Sequence, residues 1–164
     1  MQFWPAILVM SGIALGGVLG CGVPFVAVAA LAARTLSPRR AFAVVTAMWL
    51  GTETIGYGFK HFPHDPSTAA WGLVMLATTC AALQVARCIP VTALSFVAAF
   101  VAYESLQLAY ALAVHDAVNF APAIDAQIFV GNVLAIAILA AIRLTLTAAT
   151  RAQSDSPARA ARRT

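Results

Sequence analysis

Charge is scarce in this sequence, and lysine occurs once, at Lys60. Only 10% of the 164 residues are charged against 62% hydrophobic, and the mean hydropathy is +0.87. A soluble domain needs more charge than that to cover its surface, so the composition predicts an integral membrane protein. Cysteine is also sparse. Cys21, Cys80 and Cys88 are odd in number and lack metal-type spacing, which argues against a disulfide framework and leaves small apolar filler as their role. Missing too are a nucleophile–base arrangement, a glycine-rich phosphate loop after a strand and a His-Glu-x-x-His helix. A non-enzyme is therefore expected, with no cofactor and no ATP-hydrolysing apparatus of its own. Met1-Gln2-Phe3-Trp4-Pro5 puts no basic side chain ahead of the first apolar run, which disfavours a cleavable signal peptide. The net charge of +4 raises nucleic acid as a partner, but the arginines sit beside apolar runs rather than among surface aromatics. Nucleic acid is not an expected partner.

The apolar runs give the architecture: an all-α integral membrane protein. No charged residue occurs from Phe3 to Ala33, and a helix of that length would reach about 45 Å, well beyond a hydrocarbon core of about 30 Å. Gly16-Gly17, Gly20-Cys21-Gly22 and Pro24 supply a break, so the run divides into two short spans joined near residues 18 to 24. Six transmembrane helices follow, or five if residues 3 to 33 form one span. Ser37-Pro38 and Asp65-Pro66-Ser67 read as helix starts, with Ser37 and Asp65 as caps, for spans of about 40 to 59 and 67 to 86. Pro90 opens a span to about 113, and Asp125 caps the last, from about 127 to 149. Residues 1–150 thus read as one helical membrane domain and 151–164 as a disordered basic tail.

Nine arginines, Arg34, Arg39, Arg40, Arg87, Arg143, Arg151, Arg159, Arg162 and Arg163, fall at the same ends of alternate spans. By the positive-inside rule that side is cytoplasmic, in a multi-pass protein of the cell (inner) membrane. The C-terminus is then cytoplasmic, and the N-terminus with it if there are six spans.

A carboxylate at bilayer depth costs at least a few kcal/mol, so such residues usually face a bundle interior or a wet cavity. Trp49, Glu53, Tyr57 and Lys60 follow one another at steps of four, four and three, which stacks them on one helix face. Glu53 and Glu104 both climb about 20 Å from the cytoplasmic starts of their helices. Gln107 continues the face of Glu104, and Asn132 lies at comparable depth on the final span. A polar cavity open to the outside, walled by Trp49, Glu53, Tyr57, Glu104, Gln107 and Asn132, is the substrate-site expectation. Its competitors are a Glu53–Lys60 pair and interfacial anchoring by Tyr103 and Tyr110.

His61, His64, Asp65, His115 and Asp116 form an alternative set that suits a divalent transition metal. Asp65 already has a sufficient task as a helix cap. Gly12-x-x-x-Gly16-x-x-x-Gly20 and Ala29-x-x-x-Ala33 offer small faces for close helix contact, either with a partner or inside the bundle.

Gly22-Val23-Pro24-Phe25, the apolar helix after it, Ser37-Pro38-Arg39-Arg40-Ala41 and the aromatic Trp49 resemble the front half of substrate-binding S components of energy-coupling factor (ECF) vitamin transporters, the biotin-binding members most of all. The resemblance covers about residues 20 to 58 and carries over no ligand contact. It implies a six-helix protein that captures a vitamin or metal ion from outside and works with a transmembrane coupling protein and paired ATPases. The leading expectation is accordingly a membrane component that captures a small organic, vitamin-like micronutrient, energised by partners. Trp49 and Tyr57 would stack a ring-bearing ligand able to carry positive charge, and Glu53, Glu104 and Gln107 would bond its polar groups. The alternatives are a transition-metal permease and a non-transporting accessory protein.

Overall fold

The computed structural model describes residues 3–18, 23–115 and 120–154. Cys21, Asp116 and residues 155–164 of the tail lie outside them. The described residues form six helices and no strand: α1 (Trp4–Val18), α2 (Phe25–Thr35), α3 (Pro38–Gly58), α4 (Pro66–Cys88), α5 (Thr92–Ala113) and α6 (Pro122–Ser154). The long apolar run divides where its glycines and Pro24 predict, between Val18 and Phe25.

Among the described residues, three helices are long and apolar enough to cross a membrane: Pro66–Cys88, Thr92–Ala113 and Pro122–Ala152. That is fewer than the five or six spans read from the sequence, and the reasons differ by helix. α1 and α2 have 15 and 11 residues, so they measure only about 22 and 16 Å. α3 has the length, 21 residues, but Arg39, Arg40, Glu53 and its threonines and glycines dilute its apolar character.

α2 is the axis of the molecule. Every side chain from Phe25 to Ala32 is buried, and the helix packs against each of the other five. A helix apolar on all sides is stable only when surrounded, and the alanines of α2 let the surrounding helices approach closely. α3 packs on α1, α2 and α4, while α5 packs on α4 and α2. The first two glycines of the Gly-x-x-x-Gly series serve contacts within the chain. A Cβ at Gly12 would stand 2.8 Å from Met48 Cε and Sδ and 3.1 Å from Val28 Cγ2, and one at Gly16 would stand 3.2 Å from the Val23 side chain. Gly20 falls outside the described residues.

One end of the bundle gathers arginines. The Trp4 indole N–H donates to Thr35 Oγ1 (2.9 Å), joining the start of α1 to the end of α2. Arg87, in the last turn of α4, donates from Nη2 to the Leu36 carbonyl (3.3 Å), where α2 terminates. Arg34 lies in the last turn of α2, and Arg39 and Arg40 open α3. Cations at helix C-termini also complement the negative end of the peptide dipoles.

The helix boundaries follow the sequence signals with three corrections. Ser37 occupies the N-cap of α3 ahead of Pro38, but its hydroxyl makes no capping bond. Asp125 is not a cap: α6 begins at Pro122, earlier than the expected 127, which puts Asp125 in the first turn. At its other end α6 continues through Arg151 to Ser154, past the expected end of the span near 149.

Asp65 caps α4 as its pattern predicts, accepting from Thr68 N–H and Thr68 Oγ1, both at 2.9 Å. The Thr68 backbone N–H, aided by its hydroxyl, holds the Asp65 carboxyl below the usual aspartate value. A lowered folded-state pKa stabilises the fold above the unfolded pKa of about 4 and loses that contribution as pH falls through the folded value. The protection of Thr68 N–H from hydrogen exchange, relative to an unstructured amide at the same pH, is therefore expected to hold down to about pH 4 and to fall only at lower pH. Opening well above that range would contradict the cap.

Candidate functional site

Trp49, Glu53 and Tyr57 share the face of α3 that meets α4. Across from them stand Ala69, Gly72 and Leu73, and the six residues line a cleft of about 280 Å³. Gly72 makes this junction possible. Its carbonyl accepts from the Trp49 indole N–H at 2.7 Å, which fixes the ring against α4. A Cβ at Gly72 would come within 3.1 Å of Glu53 Cδ, Oε1 and Oε2, so the carboxylate occupies space that a side chain there would take. Glu53 Oε1 is buried and has no hydrogen-bond partner. A buried acceptor without a donor is costly, and a donor brought by a ligand satisfies it.

Beyond the cleft, away from the arginines, the chain folds back on Tyr57. Phe62 N–H donates to the Gly56 carbonyl (3.0 Å), and the Phe62 ring covers Gly56, where a Cβ would collide with it. Tyr57 stacks on His64 with centroids 5.3 Å apart and planes at 20°, and meets the edge of Phe62 at 6.0 Å. A second cavity of about 520 Å³ is lined by Tyr57, His64, Asp65, Pro66 and Ala69. Tyr57 and Ala69 line both spaces, so the loop-side cavity adjoins the cleft that holds Glu53.

Lys60 does not continue the Trp49–Glu53–Tyr57 stripe. α3 ends at Gly58 with Phe59 as its C-cap, so Lys60 lies beyond the helix and is exposed. The helix-face argument fails there because the helix has stopped.

The other three expected site residues sit elsewhere. Glu104, on α5, keeps a buried Oε1 without a partner and lies within electrostatic reach of Asp125 on α6, whose Oδ1 is also buried and unpartnered. Gln107 Nε2 donates to Thr78 Oγ1 of α4 over a long 3.4 Å. Asn132 is 1% exposed and both its polar groups are used: Oδ1 accepts from Ala27 N–H and Nδ2 donates to the Ile128 carbonyl, each at 3.0 Å. It ties α6 to the first turn of α2. The walls of the Glu53 cleft thus come from α3 and α4, and Glu104, Gln107 and Asn132 are not among them.

The histidines do not assemble. His61 and His115 each adopt a left-handed backbone, with φ of 55° and 58°, in exposed chain after α3 and α5, and His64 is engaged with Tyr57. Among the described residues no group of three or more His, Cys, Asp or Glu is placed to hold a metal ion. The metal-permease alternative, built on His61, His64, Asp65 and His115, finds no ligand set there, and Asp116 lies outside the described residues.

Sequence reasoning missed Ala69 and Gly72 as walls, His64 as the ring under Tyr57 and Asp125 as the neighbour of Glu104. What fold and site define together is a class: an all-helical bundle with membrane-length apolar helices and a lateral cleft holding an unpaired carboxylate between aromatic rings. No protein-family model, curated protein or solved structure matches this chain.

Proposed function

We propose that this chain is a membrane-embedded capture protein that takes a small ring-bearing organic solute, cationic or rich in hydrogen-bond donors, into the Glu53 cleft from the outer side. All six helices lie in the membrane in this reading, with α1 and α2 as a short pair that crosses and returns through the Val18–Phe25 connection. The arginine end is cytoplasmic by the positive-inside rule, which puts the cleft in the outer half.

The observation that carries the reading is the Glu53 Oε1 atom, buried and unpartnered in a cleft whose walls include Trp49 and Tyr57. Aromatic faces attract cations and stack planar rings, and a desolvated carboxylate selects a donor. The energy for uptake comes from partner proteins, a transmembrane coupling protein with ATPases in the manner of ECF transporters, and the chain acts as their S component.

Mass spectrometry of small molecules released from the detergent-purified protein tests the capture. The reading predicts a ring-bearing cation or donor-rich solute that is present with wild-type protein and absent from Gly72→Leu, in which the new side chain fills the space beside Glu53. A preparation free of any such molecule, and unaffected by added ring-bearing cations, would favour an accessory role instead.

A further inference from the structure

A third cavity, of about 340 Å³, lies on the opposite flank of α3, toward the arginine end, and the capture reading does not use it. It is lined by Pro5, Ala6 and Val9 of α1 and by Arg40, Ala43, Val44 and Ala47 of α3. Its shape follows from the sequence. α1 and α3 run side by side in the same direction, as Gly12 against Met48 and Ile13 against Gly51 show. Ala6, Ala43 and Ala47 are exposed small residues on the facing edges, and Val44 is buried beneath them. Alanines where neighbouring surface positions carry Met10 and Leu50 leave a furrow between two ridges. From Arg40 to Ala47 it runs about 10 Å along the helix axis.

The furrow is apolar along its length and cationic at one end. Arg40 is its only charged lining residue, and Arg39 stands beside it in sequence, both exposed in the first turn of α3. Arg34 adds uncompensated positive charge to the same end of the bundle, its Nε and Nη2 being buried without a hydrogen-bond partner. No carboxylate answers them among the described residues. Glu53 and Glu104 lie toward the other ends of their helices, Asp65 caps the start of α4, and Asp125 sits in the first turn of α6. Positive-inside orientation accounts for arginines at this end, but not for an open apolar trough leading up to one of them.

We infer that this furrow holds an anionic phospholipid of the cytoplasmic leaflet, with an acyl chain against Ala6, Ala43, Val44 and Ala47 and the headgroup phosphate on Arg40. An acyl chain fits because it is thin, flexible and apolar. A phosphate fits because a guanidinium binds it through paired hydrogen bonds strengthened by charge. Basic residues at the cytoplasmic interface attract anionic lipid in general, and the furrow turns that diffuse attraction into a site with one mouth. The inference rests on the membrane orientation proposed above but not on ligand capture at Glu53.

The test is native mass spectrometry of the full-length protein in detergent, offered equal amounts of phosphatidylglycerol and phosphatidylcholine with matched chains. Wild-type protein is expected to retain phosphatidylglycerol at least ~10-fold over phosphatidylcholine, a ratio that one charge-assisted contact can supply. Arg40→Gln brings the ratio near unity, and Ala47→Phe loses the retained lipid although Arg40 is intact. Arg143→Gln, on α6, changes neither. Equal retention of the two lipids by wild-type protein overturns the inference, as does a preference that survives Arg40→Gln. A preference lost equally in Arg143→Gln shows diffuse attraction and also overturns it. Lipid retention unchanged by Ala47→Phe, with loss of a co-purifying transmembrane partner, makes the furrow a helix seat instead. Glu53→Gln leaves the lipid ratio unchanged, so the two proposals fail separately.

Discussion

Glu53→Gln is expected to weaken binding of a ring-bearing cation by about 10- to 100-fold while leaving the fold as stable as before or slightly more so. The loss follows from charge, because the amide keeps the shape of the carboxylate but removes its formal charge and turns one acceptor oxygen into an N–H donor that faces the donor of the ligand. A hydrogen bond to a charged group contributes about 1.5–3 kcal/mol, and each 1.4 kcal/mol is about tenfold in affinity. The stability half follows from burial. Glu53 Oε1 has no partner inside the protein, so the substitution removes an uncompensated buried charge rather than a bond. A structural role predicts the reverse pattern, lower stability with affinity unchanged. Titration of benzylammonium, whose N–H groups can donate to the carboxylate, with benzoate as the ring-matched anion, reads the affinity, and thermal unfolding in detergent reads the stability. Equal affinity in wild type and variant removes Glu53 from the site.

Asn132→Leu is expected to destabilise the bundle by about 1–3 kcal/mol, the cost of leaving a buried backbone donor unpaired. The donor is Ala27 N–H, in the first turn of α2, where helix geometry gives amides no partner within the helix. Because α2 contacts all five other helices, an unmet amide there disturbs the centre of the molecule rather than its edge. Gln107→Leu offers the comparison: it removes a long 3.4 Å bond to Thr78 and a hydrogen bond with the Tyr103 hydroxyl, both between side chains, so it should cost about 1 kcal/mol, less than an unpaired backbone amide at the centre of the bundle. Thermal unfolding of the two variants side by side checks the order. A Gln107→Leu protein less stable than Asn132→Leu would contradict the assignment of Asn132 to the core.

Local signals in the chain carried the helices well, and pairwise arrangement poorly. Proline and aspartate mark starts through mechanisms that act within one turn, so α3 and α4 begin at Pro38 and Pro66 as read. Glycines and Pro24 likewise divide the long apolar run. The four-residue spacing of Trp49, Glu53 and Tyr57 is a property of one helix and survives folding. Which neighbour that face meets is not. Glu53 and Glu104 have similar calculated heights, but height says nothing of azimuth: one carboxylate lies on Gly72 of α4, the other near Asp125 of α6. Gly72 gave no signal because a glycine in an apolar helix has many uses until the residue opposite is known. Asn132 looked like a pocket wall from its depth, whereas its amide holds the start of α2. The span count outran the structure for a related reason. An absence of charge bounds where helices can lie, but the lengths of α1 and α2 depend on where their shared break falls.

The most direct test uses Ala69, an exposed residue that lines both the Glu53 cleft and the loop-side cavity. With Cys21, Cys80 and Cys88 replaced by serine, Ala69→Cys is treated in intact cells with a membrane-impermeant thiol reagent, with and without benzylammonium. An outward-facing ligand cleft predicts modification from outside, slowed several-fold by the cation and unslowed once Glu53→Gln is added. Modification only after the cytoplasmic side is exposed, or at a rate the cation does not change, would contradict it.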